Sequence, residues 1–413
     1  MQPTIPFSYR HDLLHCEDTS LELLAQAYGT PLYVYSKNGI LSSYKAIDSA
    51  FAEIRHAVCY ALKANANPHL LRLLADAGAG ADVVSGGELR LAREAGFATQ
   101  KTVFAGVGKT DREIKAAIEA GIAALNVESR QELEVTAALA KELGKVAPIA
   151  VRVNPDVDIE GHPYLTTGRK INKFGIPLEE AYQCCLWAAQ QPNLKVVGLH
   201  AHVGSMIKKS LPFRKNAEAL VALVGELQRA GIEVSHIDIG GGIGVDYTRV
   251  LAEQGSPLFV DPEELAAEVV PVVSPTGCEL FLEPGRAIVG PNGVLLTRVL
   301  YTKESHDKRF VIVDAAMNDL IRPALYGAHH EVLTVHRRED EQAVADVVGP
   351  VCESGDFFAK ERLLPAVRRG DLLAIMTAGA YGYVLASTYN QRLKPAEVLV
   401  DGSSHQLIRE RSW

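Results

Sequence analysis

The stretch HIDIGGGIG, residues 236–244, decides the fold. A short β-forming run, His236–Ile239, passes straight into Gly240, Gly241 and Gly242, with Gly244 close behind. Such a run reads as a strand that stops at a turn. Consecutive glycines also let backbone N–H groups approach an anion. The pattern is not G-x-G-x-x-G, so it does not indicate a dinucleotide site. A plain flexible turn is the structural alternative, and the surrounding sequence has to choose between them.

Working outward, β-rich runs recur at Val58–Leu62, Ala81–Val84, Thr102–Phe104, Ala123–Val127, Pro148–Val153, Val196–His202 and Glu279–Glu283, which with His236–Ile239 make eight. Between them, segments such as Asp111–Ala120 and Gln131–Leu143 place Ala, Glu, Lys and Leu at helical spacing. This alternation implies parallel strands joined by right-handed crossovers. The expected fold is α/β, a (β/α)8 TIM-type barrel over residues 38–285, with a doubly wound open sheet as the alternative.

Barrel enzymes carry their chemistry at the C-terminal ends of the strands. Here the first strand runs into Lys63, the second into Ser85, and the fifth carries Arg152 and Asn154. The sixth leads to His200 and His202, the seventh to Gly240–Gly242, and the eighth to Glu283. Polar and glycine residues thus gather at one face, which favours the barrel. It also puts the glycines after strand seven, a usual phosphate position.

Beyond residue 285 the texture changes. Val294–Tyr301, Arg309–Val313, Glu331–Val335 and Leu372–Met376 are β-rich runs without long helices between them. They predict a mostly antiparallel C-terminal β domain over residues 286–413. The N-terminal segment 1–37, with Leu32–Tyr35, is expected to join it. The charge run HRREDE (336–341) reads as a solvated loop.

A chain of 413 residues suits two such domains. Its 50 acidic and 42 basic side chains give a net charge of -8, which argues against a nucleic-acid partner. Six cysteines contain no C-x-x-C pair, so neither a disulfide framework nor a metal site is expected. The apolar stretch Leu372–Ala386 is interrupted by Thr377, Gly379 and Gly382 and reads as strand and turn rather than a membrane span. With no basic-then-apolar leader at the start, a cytoplasmic location is expected.

Lys63 follows an apolar strand, where burial disfavours its charged form, as a Schiff-base amine requires. A surface lysine at a strand end is the alternative. Glu283 is placed to pair with a pyridinium nitrogen, against a simple salt bridge to Arg286. His202 suits stacking on an aromatic ring, or an ordinary structural hydrogen bond; Asp82 reads as structural, shaping the surroundings of Lys63 or His202. Together the amine, the carboxylate and the glycines describe a phosphate-bearing aldehyde cofactor.

YALKAN (60–65), HVGS (202–205), GGG (240–242), EPGR (283–286), CESGD (352–356) and GAYG (379–382) together resemble the fold-type III pyridoxal-phosphate decarboxylases, in that family's order. The resemblance implies an alanine-racemase-like barrel and pyridoxal 5'-phosphate bound through Lys63. It implies His202 stacked on the cofactor ring, Ser205 and Gly240–Gly242 around the phosphate, Glu283 at the pyridine nitrogen and Tyr381 nearby. It also implies a homodimer with shared sites, to which the partner subunit contributes Cys352, as a proton donor, and Glu353.

MNDLIRPALYGAHH (317–330) and YNQRLKPAEVLV (389–400) resemble the diaminopimelate branch of that family. That branch decarboxylates meso-2,6-diaminopimelate to L-lysine and CO2, closing lysine biosynthesis. The resemblance then implies Arg322, Tyr326 and Arg286 at the substrate's distal carboxylate, Glu353 at its distal ammonium, and Tyr381 beside the substrate. Arginine suits the first task because its planar fork matches a carboxylate. DIEG (158–161) departs from the branch pattern, whereas His162 and NKFG (172–175) fit it. Ornithine, arginine or carboxynorspermidine decarboxylases, a racemase of the same fold, and a non-catalytic cofactor-binding or regulatory relative remain as alternatives.

Overall fold

Each of the eight predicted runs forms a strand, and each is almost wholly buried, as parallel strands covered on both faces require. They are His56–Ala61, Gly80–Val83, Thr102–Phe104, Ala124–Val127, Ala147–Asn154, Leu194–His200, His236–Asp238 and Glu279–Leu282. The computed structural model describes residues 3–155, 173–306, 308–338 and 342–413. DIEG, His162 and Asn172, and Glu339–Glu341 of the charge run, lie outside the described residues.

Every neighbouring pair of these strands runs parallel, and the eighth returns to the first, with Leu280 opposite His56 and Leu282 opposite Val58. The sheet is therefore a closed barrel rather than an open doubly wound sheet. Two further residues, Ile176–Pro177, add a short parallel pairing beside Ala147–Asn154. The crossover helices start and stop on local signals. Asp111–Ala120 begins with a capping box between Thr110 and Glu113 and ends at Gly121 in the left-handed region. Ser85, noted at the end of strand two, caps the helix Gly86–Ala95 by accepting the Glu88 N–H.

The chain divides into two units. The barrel unit comprises Tyr44–Gly244 and Leu258–Gly285, and the second comprises Pro3–Ser43, Val245–Pro257 and Arg286–Trp413. Val245–Pro257 leaves the barrel stretch and belongs to the second unit because Val250 packs into a core with Leu32, Val34, Leu296 and Met376. In that unit Gly293–Ser305 pairs antiparallel with Leu32–Ser36, Lys308–Val313 and Leu372–Ile375. Two pairings are parallel: Leu32–Ser36 with Ala396–Asp401, and Lys308–Val313 with Gln342–Val348. A small three-stranded sheet, Phe7–Arg10, Leu13–Cys16 and Thr19–Ser20, was not legible as strands because its runs are so short.

Five of the six cysteines are buried free thiols and Cys352 is exposed. Among the described residues no helix is long and apolar enough to cross a membrane.

Inside the barrel, His236 stacks on Phe281 with ring centroids 4.6 Å apart. Burial, with the charge of His200, pushes its imidazole down from 6.5 to about 4. Between those values the unfolded chain takes up a proton that folded His236 refuses, so stability falls as pH drops from 6.5 toward 4. His236→Phe is expected to flatten that acid limb by up to one proton, about 1.4 kcal/mol per pH unit. Denaturant titrations across this pH range check it, and an unchanged slope would show that His236 does not drive the loss.

Candidate active site

The C-terminal rim of the barrel collects the predicted groups of that unit. After His56–Ala61 a single 3-10 turn, Leu62–Ala64, carries Lys63 out of the strand. Its Nζ donates to Asp82 Oδ2 at 2.6 Å, where Asp82 is fully buried at the end of the second strand. The Lys63 side chain is 37% exposed, so the ion pair with Asp82, more than burial, defines its surroundings. Burial and then Glu283 push the Asp82 carboxyl up, and Lys63 opposes them.

Strands six to eight supply a buried cluster. His200 Nε2 lies 3.3 Å from Glu283 Oε2. Asp238 Oδ1 accepts the Gly240 N–H at 2.8 Å. His202 Nδ1 accepts the Gly241 N–H at 3.0 Å, which assigns the ring proton to Nε2. Desolvation, then the charges of Lys63 and Arg152, press His202 down to about 3, so the ring stays neutral. Ser205 is half-buried in the turn after Gly204.

The glycines pack the loop closely against its neighbours. The N–H groups of Gly240 and Gly241 are engaged within the loop, by Asp238 and His202. A Cβ at Gly241 would come within 2.0 Å of the Glu283 carbonyl oxygen, and one at Gly242 within 2.0 Å of the Gly204 carbonyl oxygen. Gly242 also has φ +98, a region that costs any side chain strain. Close backbone packing is thus a reason for the triplet, and the Gly242 N–H is not used in these loop contacts.

Beside them, Arg152 Nη1 donates to Glu128 Oε1 at 2.9 Å, and its guanidinium faces the Phe174 ring at 4.8 Å.

The second unit has its own polar cluster. Arg286 opens the short helix Arg286–Val289 and donates from Nη1 to the Tyr247 hydroxyl at 2.8 Å. Arg322 opens the helix Arg322–Tyr326, lies 5.1 Å over the Tyr247 ring and donates from Nε to His330 Nε2 at 3.4 Å. His330 Nδ1 is 2.8 Å from the Met376 carbonyl oxygen, and burial followed by Arg322 holds its imidazole at about 3. Burial alone would raise the Tyr247 phenol, but the two guanidiniums outweigh it and draw it down. Tyr381, held at φ 55, stacks against Arg286 at 4.6 Å, and Tyr326 is half-buried at the end of its helix.

Cys352 and Glu353 are exposed on one short loop. Asp356 pins that loop, accepting the Val351 N–H at 2.7 Å through Oδ2 and the Met317 N–H at 2.7 Å through Oδ1. Tyr389 donates its hydroxyl to Glu353 Oε2 at 3.4 Å.

Sequence reasoning missed Tyr247 and His330, and gave no role to His200 or Asp238. His200 was visible at its strand end, and His330 closes the quoted 317–330 run. Nothing local marked Tyr247.

The family model for the pyridoxal-dependent decarboxylase, pyridoxal binding domain, matches residues 37–290. A diaminopimelate decarboxylase of Aquifex aeolicus is 47% identical over 98% of this chain and 94% of that protein. The chain belongs to the diaminopimelate decarboxylase branch of the pyridoxal-dependent decarboxylases. Solved structures of this branch agree in fold. That from M. jannaschii, in co-complex with L-lysine, has a TM-score of 0.93 at 37% identity, covering 100% of this chain and 96% of that one. That from Helicobacter pylori, complexed with L-lysine, has a TM-score of 0.90 at 40% identity, covering 95% and 96%.

The branch uses pyridoxal phosphate, and the barrel rim fits that group. It offers the Lys63 amine and a neutral imidazole. Glu283 Oε1 is buried without a hydrogen-bond partner among the described residues. Gly241→Ala should disturb the loop and weaken pyridoxal phosphate binding by at least about tenfold, ~1.4 kcal/mol. Cofactor titration of the apoprotein, with circular dichroism as the folding control, checks this; unchanged affinity would remove the loop from the cofactor site.

Proposed function

We propose that this protein removes CO2 from meso-2,6-diaminopimelate to give L-lysine. The observation that carries the substrate is the pair of buried guanidiniums, Arg286 and Arg322, built around Tyr247. Two cations buried on a neutral phenol and a neutral imidazole suit an anionic ligand, because burial strengthens each charge–charge contact. A substrate ending in an amine alone would gain nothing from them.

In this reading Lys63 binds the cofactor's aldehyde carbon, Glu283 meets its ring nitrogen and His202 lies against its ring. Ser205 and Gly240–Gly242 surround the phosphate, and Tyr381 borders cofactor and substrate. When bound, pyridoxal phosphate supplies a sink for the electron pair left behind by CO2.

Arg286 and Arg322, with Tyr326, hold the distal carboxylate, so the far end of the substrate is anchored before any bond breaks. The bond to the carboxylate of the D-centre breaks, CO2 departs, and a proton takes its place on the same carbon. Cys352 of the partner subunit delivers that proton, and Glu353 of the partner subunit takes the distal ammonium. The exposure of both residues in one chain supports a shared site in a homodimer. In this reading the enzyme works in the cytoplasm.

The test is CO2 release and L-lysine formation from meso-diaminopimelate, with L-ornithine and L-arginine run in parallel. Turnover of diaminopimelate alone is expected; turnover of ornithine or arginine would discard the carboxylate reading. Arg322→Leu should raise KM for diaminopimelate by roughly 30-fold or more, about 2 kcal/mol for a lost charge-assisted contact. An unchanged KM would remove Arg322 from the substrate site. Mixed Lys63→Ala and Cys352→Ala proteins should recover up to about a quarter of normal activity, since half of random dimers then carry one intact site. No recovery after verified subunit exchange would count against a shared site.

A further inference from the structure

His200 and Asp238 are buried ionisable groups that the proposed reaction does not use. His200 ends the strand Leu194–His200, with Nε2 3.3 Å from Glu283 Oε2 and Nδ1 without a partner among the described residues. Ligand atoms of His200, Asp238 and Glu283 all lie within 4.8 Å of one another, and all three residues are buried. Asp238 Oδ1 is committed to the Gly240 N–H, while the Asp238 and Glu283 carboxyls lie close enough to share a hydrogen bond when one of them is protonated. Around this trio stand Cys59 from strand one, Lys63 from the turn after it, Asp82 from strand two, His236 from strand seven, and His202.

Two buried carboxyls this close cannot both ionise freely, so one becomes neutral. A carboxylate that serves a protonated ring nitrogen has to be the ionised one, and it has to present the right oxygen. Only one group of the trio is a nitrogen donor aimed at Glu283. We propose that His200 is a positioning residue for the cofactor: its Nε2–H holds Glu283 Oε2, which keeps Glu283 ionised and turns Oε1 to the ring nitrogen. Asp238 is the neutral member: its proton is donated to Glu283, and its bond from the Gly240 N–H ties the same cluster to the glycine loop. The electrostatics agree in direction. Burial raises Glu283, but the charge and hydrogen bond of His200, helped by Lys63, outweigh it and hold Glu283 low. Burial and the neighbouring Glu283 push Asp238 well up.

The inference deepens the reading that Glu283 meets the ring nitrogen, and its test separates the two. The side-chain nitrogen of Gln reaches about as far as imidazole Nε2, whereas that of Asn reaches only to the Nδ1 position. His200→Gln and His200→Asn holoenzymes would be loaded with pyridoxal phosphate labelled with 15N in its ring, alongside wild type and Glu283→Gln. In wild type and His200→Gln the 15N shift is expected to be that of a protonated ring nitrogen. In His200→Asn it should move toward the neutral value, with cofactor affinity down about tenfold, ~1.4 kcal/mol. Circular dichroism and the thermal midpoint check folding. If Glu283→Gln leaves the shift unmoved, Glu283 does not serve the ring nitrogen and the underlying reading fails. If Glu283→Gln moves it but His200→Asn matches wild type in shift and affinity, the role of His200 alone is overturned. A loss of the protonated shift in both His200 variants, with folding intact, also overturns it, because a donor at the Nε2 position would then not suffice.

Discussion

Closure of the parallel sheet, strand Glu279–Leu282 pairing back onto His56–Ala61, is the constraint on which the rest of this molecule depends. It removes every free edge from the inner sheet, so no barrel strand needs a charged or kinked edge to stay monomeric in its pairing. It also brings two residues from opposite ends of the unit, Lys63 and Glu283, to one rim. Their electrostatic coupling, and that of both with Asp82, exists only because the eighth strand lies beside the first.

That rim stores unfavourable electrostatics. Asp82, Asp238 and Glu283 are buried carboxyls, and burial is the first influence on each. Such groups persist only where partners or protons compensate them. Lys63 compensates Asp82 and His200 compensates Glu283, while burial and the neighbouring Glu283 both push the Asp238 carboxyl up. Unfilled acceptors such as Glu283 Oε1 are costly in a folded protein, and a ligand that supplies a donor recovers the cost. The apolar barrel wall, from Val58 and Ala81 round to Leu280, gives the stability that lets the rim remain strained.

The second unit solves a different problem, how to bury guanidiniums. Arg286 and Arg322 share Tyr247, and the neutral His330 accepts a hydrogen bond from Arg322 Nε–H while the Met376 carbonyl fixes its other nitrogen. Neutral aromatic partners orient the cations without neutralising them, so their charge remains for an anion. Asp356 performs a similar service for the Cys352–Glu353 loop with two backbone N–H bonds.

Much of this was determined by the sequence alone. The eight strands, the helices Asp111–Ala120 and Arg130–Glu142, and Lys63, His202, the glycines and Glu283 at strand ends follow from local runs and turn residues. A strand's apolar pattern and the residue that stops it are properties of a few neighbours in the chain. Tertiary structure decided what depends on distant neighbours. It paired Lys63 with Asp82 and His200 with Glu283, and turned two glycine N–H groups inward to Asp238 and His202. It also carried Val245–Pro257 into the second unit, so that Tyr247 stands between two arginines. Those outcomes rest on barrel closure and on the burial of Val250 in another core, and neither leaves a periodic mark in the chain.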